Sequence, residues 1–140
     1  MDDKLYFYKI LSVDRIIDGD TFVCTIDLGF CLSKRIVVRI LDYDSFESRH
    51  SHKCKKQAKK HNLSEDCIVE LGKKLKHVLE DVLFSSSDLY IKTHKLDAFG
   101  RALGTIYKDG VSIVNILETA KQSYLLEAKC NQEDLNKKES

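Results

Sequence analysis

Arg39 is the first residue that needs an explanation. It stands in Ile36-Val37-Val38-Arg39-Ile40-Leu41, an otherwise apolar run. A permanent cation buried there is costly unless it is paired; alternatively, it emerges on an open face and meets a surface acid. Asp42, Asp44 and Glu47 follow directly. Acids just past a strand end can be a solvated loop, or hard oxygen ligands for Ca²⁺ or Mg²⁺ with a carboxylate left to act on water. Upstream, Asp18-Gly19-Asp20-Thr21 brackets a turn glycine with two more acids. Downstream, Asp97-Ala98-Phe99-Gly100-Arg101 carries a second arginine at a tight turn. Taken singly, each of these reads as an ordinary turn or surface feature.

These residues need elements to hold them. Leu5–Val13, continuing through Arg15-Ile16-Ile17, has the aromatic and β-branched content of a strand. Thr21–Ile26 alternates, with Phe22, Cys24 and Ile26 able to share one face. Lys34–Leu41 is a β-branched run suited to burial on both faces. From Asp42 to about Asp66 no period is visible. A helix follows, in which Ile68, Leu71, Leu75, Val78, Leu79 and Val82 form one apolar stripe, with Ser64 as its cap. Ser85 onward closes that helix. Leu89–Thr93 and Ala102–Tyr107 read as strands, and Val111–Lys121 and Tyr124–Lys129 as helical. The order is three strands, a helix, two strands and a terminal helix. It predicts a mainly β, α+β chain: a five-stranded Greek-key barrel of OB type capped by two to three helices.

Length and composition set outer limits. A chain of 140 residues supports one core, and 43% hydrophobic with 32% charged residues is the balance of a folded domain rather than a disordered one. A net charge of +1 means that a polyanion partner would have to be met by local clustering. The five cysteines are odd in number and lack paired spacing, which favours free thiols in a reducing compartment. No basic n-region with an apolar core opens the chain, and no run approaches a membrane span. The expectation is a monomer without a membrane partner, intracellular as given, or secreted if a signal has been removed.

In combination, Asp18-Gly19-Asp20-Thr21, then Arg39 with Asp44 and Glu47 five and eight residues on, then Asp97-Ala98-Phe99-Gly100-Arg101, resembles the staphylococcal-nuclease-like (thermonuclease) family. The resemblance runs from about Leu5 to Leu117. It implies a nuclease domain over residues 1–130; the polar, charged composition of 131–140 predicts a flexible tail. The resemblance also implies a Ca²⁺-dependent hydrolase of DNA, with RNA as a further substrate, leaving 3′-phosphate ends. Mg²⁺ or Mn²⁺ are the other ions to consider. Arg39, Glu47 and Arg101 would be catalytic: the guanidinium forks grip the phosphate, and Glu47 serves as general base or orients the attacking water. Asp20, Asp44 and the Ser45 carbonyl would bind the metal, with Asp18 joining through water. The chain departs from the family pattern at Ser45 (usually Thr), Phe46 (Pro), and Ala98 and Phe99 (Lys-Tyr in some members). Tyr124 is what remains of an aromatic cluster that holds a base.

Arg49–Lys60 contains no acid. It is a solvated loop, or a guide for a polyanion in which Lys55, Lys56, Lys59 and Lys60 bind substrate. His50, His52, Cys54, His61 and Cys67 match no tight zinc template. Neither a nucleophile turn nor a phosphate-cradling glycine loop is present. The alternative to a nuclease is a catalytically weak or inactive OB barrel that binds nucleic acid or another protein.

Overall fold

The computed structural model describes residues 6–85 and 88–139, with side chains to residue 133. Its elements are β1 (Phe7–Asp18), β2 (Thr21–Gly29), β3 (Leu32–Ile40), α1 (His52–His61), α2 (Glu65–Phe84), β4 (Leu89–Leu96), β5 (Ala102–Lys108), β6 (Val111–Ser112) and α3 (Val114–Glu139). Strands β1, β2 and β3 form an antiparallel meander. β1 also pairs with β4, β4 with β5, and β5 returns to β3 in parallel. That last pairing closes a five-stranded barrel, and β6 is a two-residue strand that turns back to pair antiparallel with the end of β5. The fold is therefore the α+β, OB-like barrel with helical caps that the element order implies.

Closure depends on β1. Its register against β2 shifts between Ile10 and Ser12, between Val13 and Arg15, and between Ile16 and Asp18. Such bulges add twist, which lets one strand serve two neighbours around a small barrel. Phe22, Cys24 and Ile26 point inward as their alternation predicts, and join Ile10, Val38, Ile40, Ile91 and Ile106 in the barrel core. β3 is not buried on both faces. Val38 and Ile40 are buried, whereas Val37 and Arg39 are half-buried, so the strand alternates and Arg39 lies on its outer side.

The single core expected from the chain length is divided into two clusters of buried residues, which helix α2 links. Leu79, Val82 and Leu83 plug the barrel, while Ile68, Leu71 and Leu75 pack with Phe46, Cys54, Ala58 and Leu125. The Ser64 hydroxyl caps it, accepting from the Cys67 N–H at 3.1 Å. The segment expected to lack regularity contains α1. Its Ser51 hydroxyl accepts from the Cys54 N–H at 3.1 Å, its basic last turn suits the helix dipole, and Asn62 ends it in the left-handed conformation. Only Cys54 and Ala58 of this helix are buried, four residues apart, so no apolar stripe announces it. The two helical pieces expected near the C-terminus are one continuous helix, α3. It carries the backbone of the polar tail to Glu139; the tail's side chains from 134 lie outside the described residues. No helix among the described residues is long and apolar enough to cross a membrane.

The cysteines report on this packing. Burial pushes the Cys24 thiol up to about 12, and the side chain has no solvent exposure, whereas Cys31 and Cys130 are exposed. At neutral pH a thiol reagent should modify Cys31 and Cys130 in the native protein and reach Cys24 only on unfolding. Mass-mapped labelling of Cys24 as fast as Cys31 would contradict its place inside the barrel.

Candidate active site

Arg39 is anchored by the bonds it donates. Nη1 donates to the carbonyls of Ile40 at 3.0 Å and Tyr43 at 2.6 Å, and Nη2 to Asp44 Oδ1 at 2.9 Å. Asp20 Oδ2 lies 3.5 Å from the same Nη2. Asp20 is itself buried and held at both oxygens: Oδ1 accepts from the Thr21 hydroxyl at 2.9 Å, and Oδ2 from the Ser45 N–H at 2.9 Å. Strand pairing puts Thr21 across from Arg39, and the Ile40 N–H donates to the Asp20 carbonyl. The turn after β1 and the loop after β3 are thus held together through one guanidinium.

The second arginine reaches the same place through the parallel pair. Arg39 is level with Leu103 of β5, and Arg101 stands two residues before Leu103. Asp97 holds the turn in between. Its Oδ1 accepts from the N–H groups of Phe99 and Arg101, and its Oδ2 from Arg101 Nε at 2.7 Å. Gly100 takes a positive φ of 79° there, a conformation that favours glycine. Arg101 also lies 5.3 Å from the ring centre of the exposed Phe99. Arg39, Asp44, Asp97, Arg101, Glu118 and Lys121 line one open pocket of about 470 Å³.

Glu47 lies three residues beyond Asp44, on the side where α1 packs. Its backbone N–H donates to Gln57 Oε1 at 2.9 Å, and Gln57 Nε2 is 3.4 Å from the Ser45 carbonyl. Lys53 Nζ spans the acids, 3.1 Å from Asp44 Oδ1 and 3.7 Å from Glu47 Oε1. α3 contributes Lys121, which donates to the Asp44 carbonyl at 2.6 Å and sits over the Phe46 ring. Asp18 Oδ1 accepts from Ser48 Oγ at 2.9 Å. The loop can lie so close to α2 because of Gly72. A Cβ there would collide with the Glu47 carbonyl and come within 2.7 Å of the Phe46 carbonyl.

Most of the residues singled out in the sequence therefore converge: Asp18, Asp20, Arg39, Asp44, Ser45 and Glu47 on adjoining turns, with Arg101 across the pocket. Lys55, Lys56, Lys59 and Lys60 are exposed on α1 beside this loop. Tyr124 is elsewhere. It lines a groove between α2 and α3, with Lys74 Nζ 5.4 Å from its ring centre. Gln57, Lys121 and Gly72 escape sequence reasoning, and Lys53 is read there only as one cation of the basic stretch. Of the three only Gly72 leaves a signal, as a glycine inside a helical stripe, where it costs about 1 kcal/mol unless close packing requires it.

The donors for a metal are of the right kind. Asp20 and Asp44 are carboxylates that share Arg39 Nη2, and Ser45 adds a carbonyl whose protein hydrogen bond is long. This set suits a hard cation such as Ca²⁺. Among the described residues, however, no three His, Cys, Asp or Glu side chains gather closely enough to hold an ion, and this includes the histidines and cysteines weighed for zinc. Arg39 and Lys53 neutralise the acids instead. Compared with family models and with curated proteins, the chain matches none.

Two outcomes test this geometry. Gly72→Ala should lower the melting temperature and displace the Glu47 segment, since overpacking against backbone typically costs about 1–3 kcal/mol; an unchanged melting curve would show that the contact yields. Asp97 loses some solvation, but the two N–H groups and the Arg101 guanidinium outweigh that and hold its pKa below the usual carboxylate value. Its stabilisation is therefore whole above the unfolded value of about 3.9 and is lost as pH falls through the folded one. Asp97→Asn should melt below wild type at pH 7, with the gap closing toward pH 3. A gap independent of pH would assign the effect to something other than this charge.

Proposed function

We propose that the chain is a metal-dependent nuclease of the staphylococcal-nuclease-like type, hydrolysing phosphodiester bonds of DNA and also of RNA to leave 3′-phosphate ends. The observation that carries this reading is that Arg39 and Arg101, distant in sequence, line one pocket with Asp44, while Glu47 follows on the same loop. Two planar guanidinium groups converging on an open cavity suit the non-bridging oxygens of a phosphate and the charge that grows on them during attack. Among the described residues Arg101 meets Asp97 through Nε, leaving its two terminal amino groups for a ligand. Glu47 would take the proton from the attacking water. Ca²⁺, or Mg²⁺ or Mn²⁺ in its place, would be held by Asp20, Asp44 and the Ser45 carbonyl, with Asp18 joining through water. Bound there, the ion would supply positive charge beside the phosphate. Lys55, Lys56, Lys59 and Lys60 would draw the polyanion toward the loop.

A second reading, a nucleic-acid-binding barrel without catalysis, is favoured by one observation: Arg39 spends its donors on protein acceptors. Cleavage of supercoiled plasmid and of a labelled single strand, with Ca²⁺, Mg²⁺, Mn²⁺ or EDTA, separates the two. The expected result is metal-dependent degradation, reduced by roughly 10²–10³ in Glu47→Gln, Arg39→Ala and Arg101→Ala. Arg39→Lys should be nearly as impaired, because it keeps the charge and loses the fork. Binding without cleavage under any metal would select the second reading.

A further inference from the structure

On the other side of the Glu47 segment lies a second concave surface that no step above uses. It is an open cleft of about 460 Å³ between the end of β1 and the side of α2, lined by Arg15, Ser48, Arg49, Lys73 and Lys76. Four cations contribute to it, and no acid does. Among the described residues Arg15, Arg49 and Lys76 form no ion pair, and the acid nearest Lys73 is an exposed Glu70 at 3.9 Å. The acids nearby are already engaged. Asp14 accepts from Ser12 and Thr25 and lies 3.8 Å from Arg35; Glu80 Oε2 lies 3.2 Å from His77 Nδ1. Asp18 stands at the edge, bonded by Ser48 Oγ.

In a chain of net charge +1, four cations in one cleft, three of them without an ion pair among the described residues, are a local choice. Like charges crowded into a concavity repel one another, and a polyanion in the cleft would relieve that repulsion while releasing its own counterions. The volume is in the range that takes whole small ligands, so a phosphate can enter with its sugar attached. The position is equally pointed: Ser48 adjoins Glu47 in the chain, about 3.8 Å from Cα to Cα.

We propose that this cleft is a second phosphate-binding pocket, holding a backbone phosphate of the nucleic-acid strand away from the bond being cut. The proposal takes the identity of its polyanion from the nuclease reading. It adds that long strands are held at two points, by Arg39 and Arg101 at the reacting phosphate and by Arg15, Arg49, Lys73 and Lys76 at a distant one. The chain would then prefer strands long enough to span both.

Lys73 and Lys76 lie on α2, exposed and half-buried respectively, and neither belongs to the proposed catalytic set. Lys73→Gln with Lys76→Gln keeps helix propensity, and Lys73→Glu with Lys76→Glu reverses the charge. In a Glu47→Gln background with EDTA, binding of a fluorescent twenty-nucleotide single strand is measured across a salt series. Both pairs should weaken binding, the Glu pair by about tenfold or more. The slope of log affinity against log salt should shrink by about 0.7 for each phosphate released. Affinity and slope within error of the parent would overturn the pocket, as would a loss of affinity with unchanged slope, since the lost contact would then not be to a phosphate. With Glu47 restored, the Gln pair should leave turnover of a dinucleotide unchanged and raise KM for the long strand alone. Absence of cleavage by the parent would end the nuclease reading, while the binding series would still decide the pocket.

Discussion

A guanidinium cannot shed its charge, and the position of Arg39 on the outer side of β3 obliges the surrounding chain to answer it. Its side chain is only 18% exposed, too little for water to do so. Asp20 and Asp44 therefore come to it from two different turns, and the carbonyls of Ile40 and Tyr43 take what remains. Asp20 is buried with it, so loss of the guanidinium would strand that carboxylate, whereas Asp44 is half exposed and water can answer its charge. The main consequence is positional. With Asp20 also accepting from the Ser45 N–H, the segment after β3 has one path open to it, and that path delivers Glu47 to the flank of α1 and α2.

The helices then complete what the barrel begins. Gln57 bonds at both ends of the Ser45–Glu47 segment, acting as a brace between α1 and a loop that has no proline to stiffen it. Gly72 removes the side chain that would hold α2 away. Gly19 does the same at the other turn, where a Cβ would crowd the Ser45 side chain. Two glycines and an amide thus allow a close approach of backbone segments that acids and arginines alone could not secure.

These particulars explain what was legible in the sequence. Inward residues such as Phe22, Cys24 and Ile26, and the stripe of α2, advertise themselves because burial follows the period of the element. The Asp-Gly and Phe-Gly-Arg turns advertise themselves because few residue types fit them. α1 could not be read, since its buried side is two small residues among lysines and histidines, and its order comes from a cap and from contacts with α2 and the loop. β3 misled in another way. A half-exposed Val37 beside Arg39 looks in sequence like a strand buried on both faces, and only the parallel closure onto β5 shows which face is open. Tyr124 fell outside the pocket for a similar reason: α3 is one continuous helix, and its rotation sets Lys121 toward Asp44 and Tyr124 into the groove with α2.

The balance of charge at the pocket bears on how such a site could work. Asp44 is met by Arg39 and Lys53, so the Arg39 donors that a phosphate would use and the Asp44 acceptor that a cation would use are at present spent on each other. Either ligand alone must break that pairing and leave one partner exposed. Together they need not, because a cation satisfies the carboxylates while the phosphate satisfies the guanidinium. Under the proposed reading, metal and substrate would each bind more tightly in the presence of the other, by the same factor in both directions. A site that rests in self-neutralised form is stable when empty and still open to exchange, which is what a barrel surface bearing both strong acids and fixed cations requires.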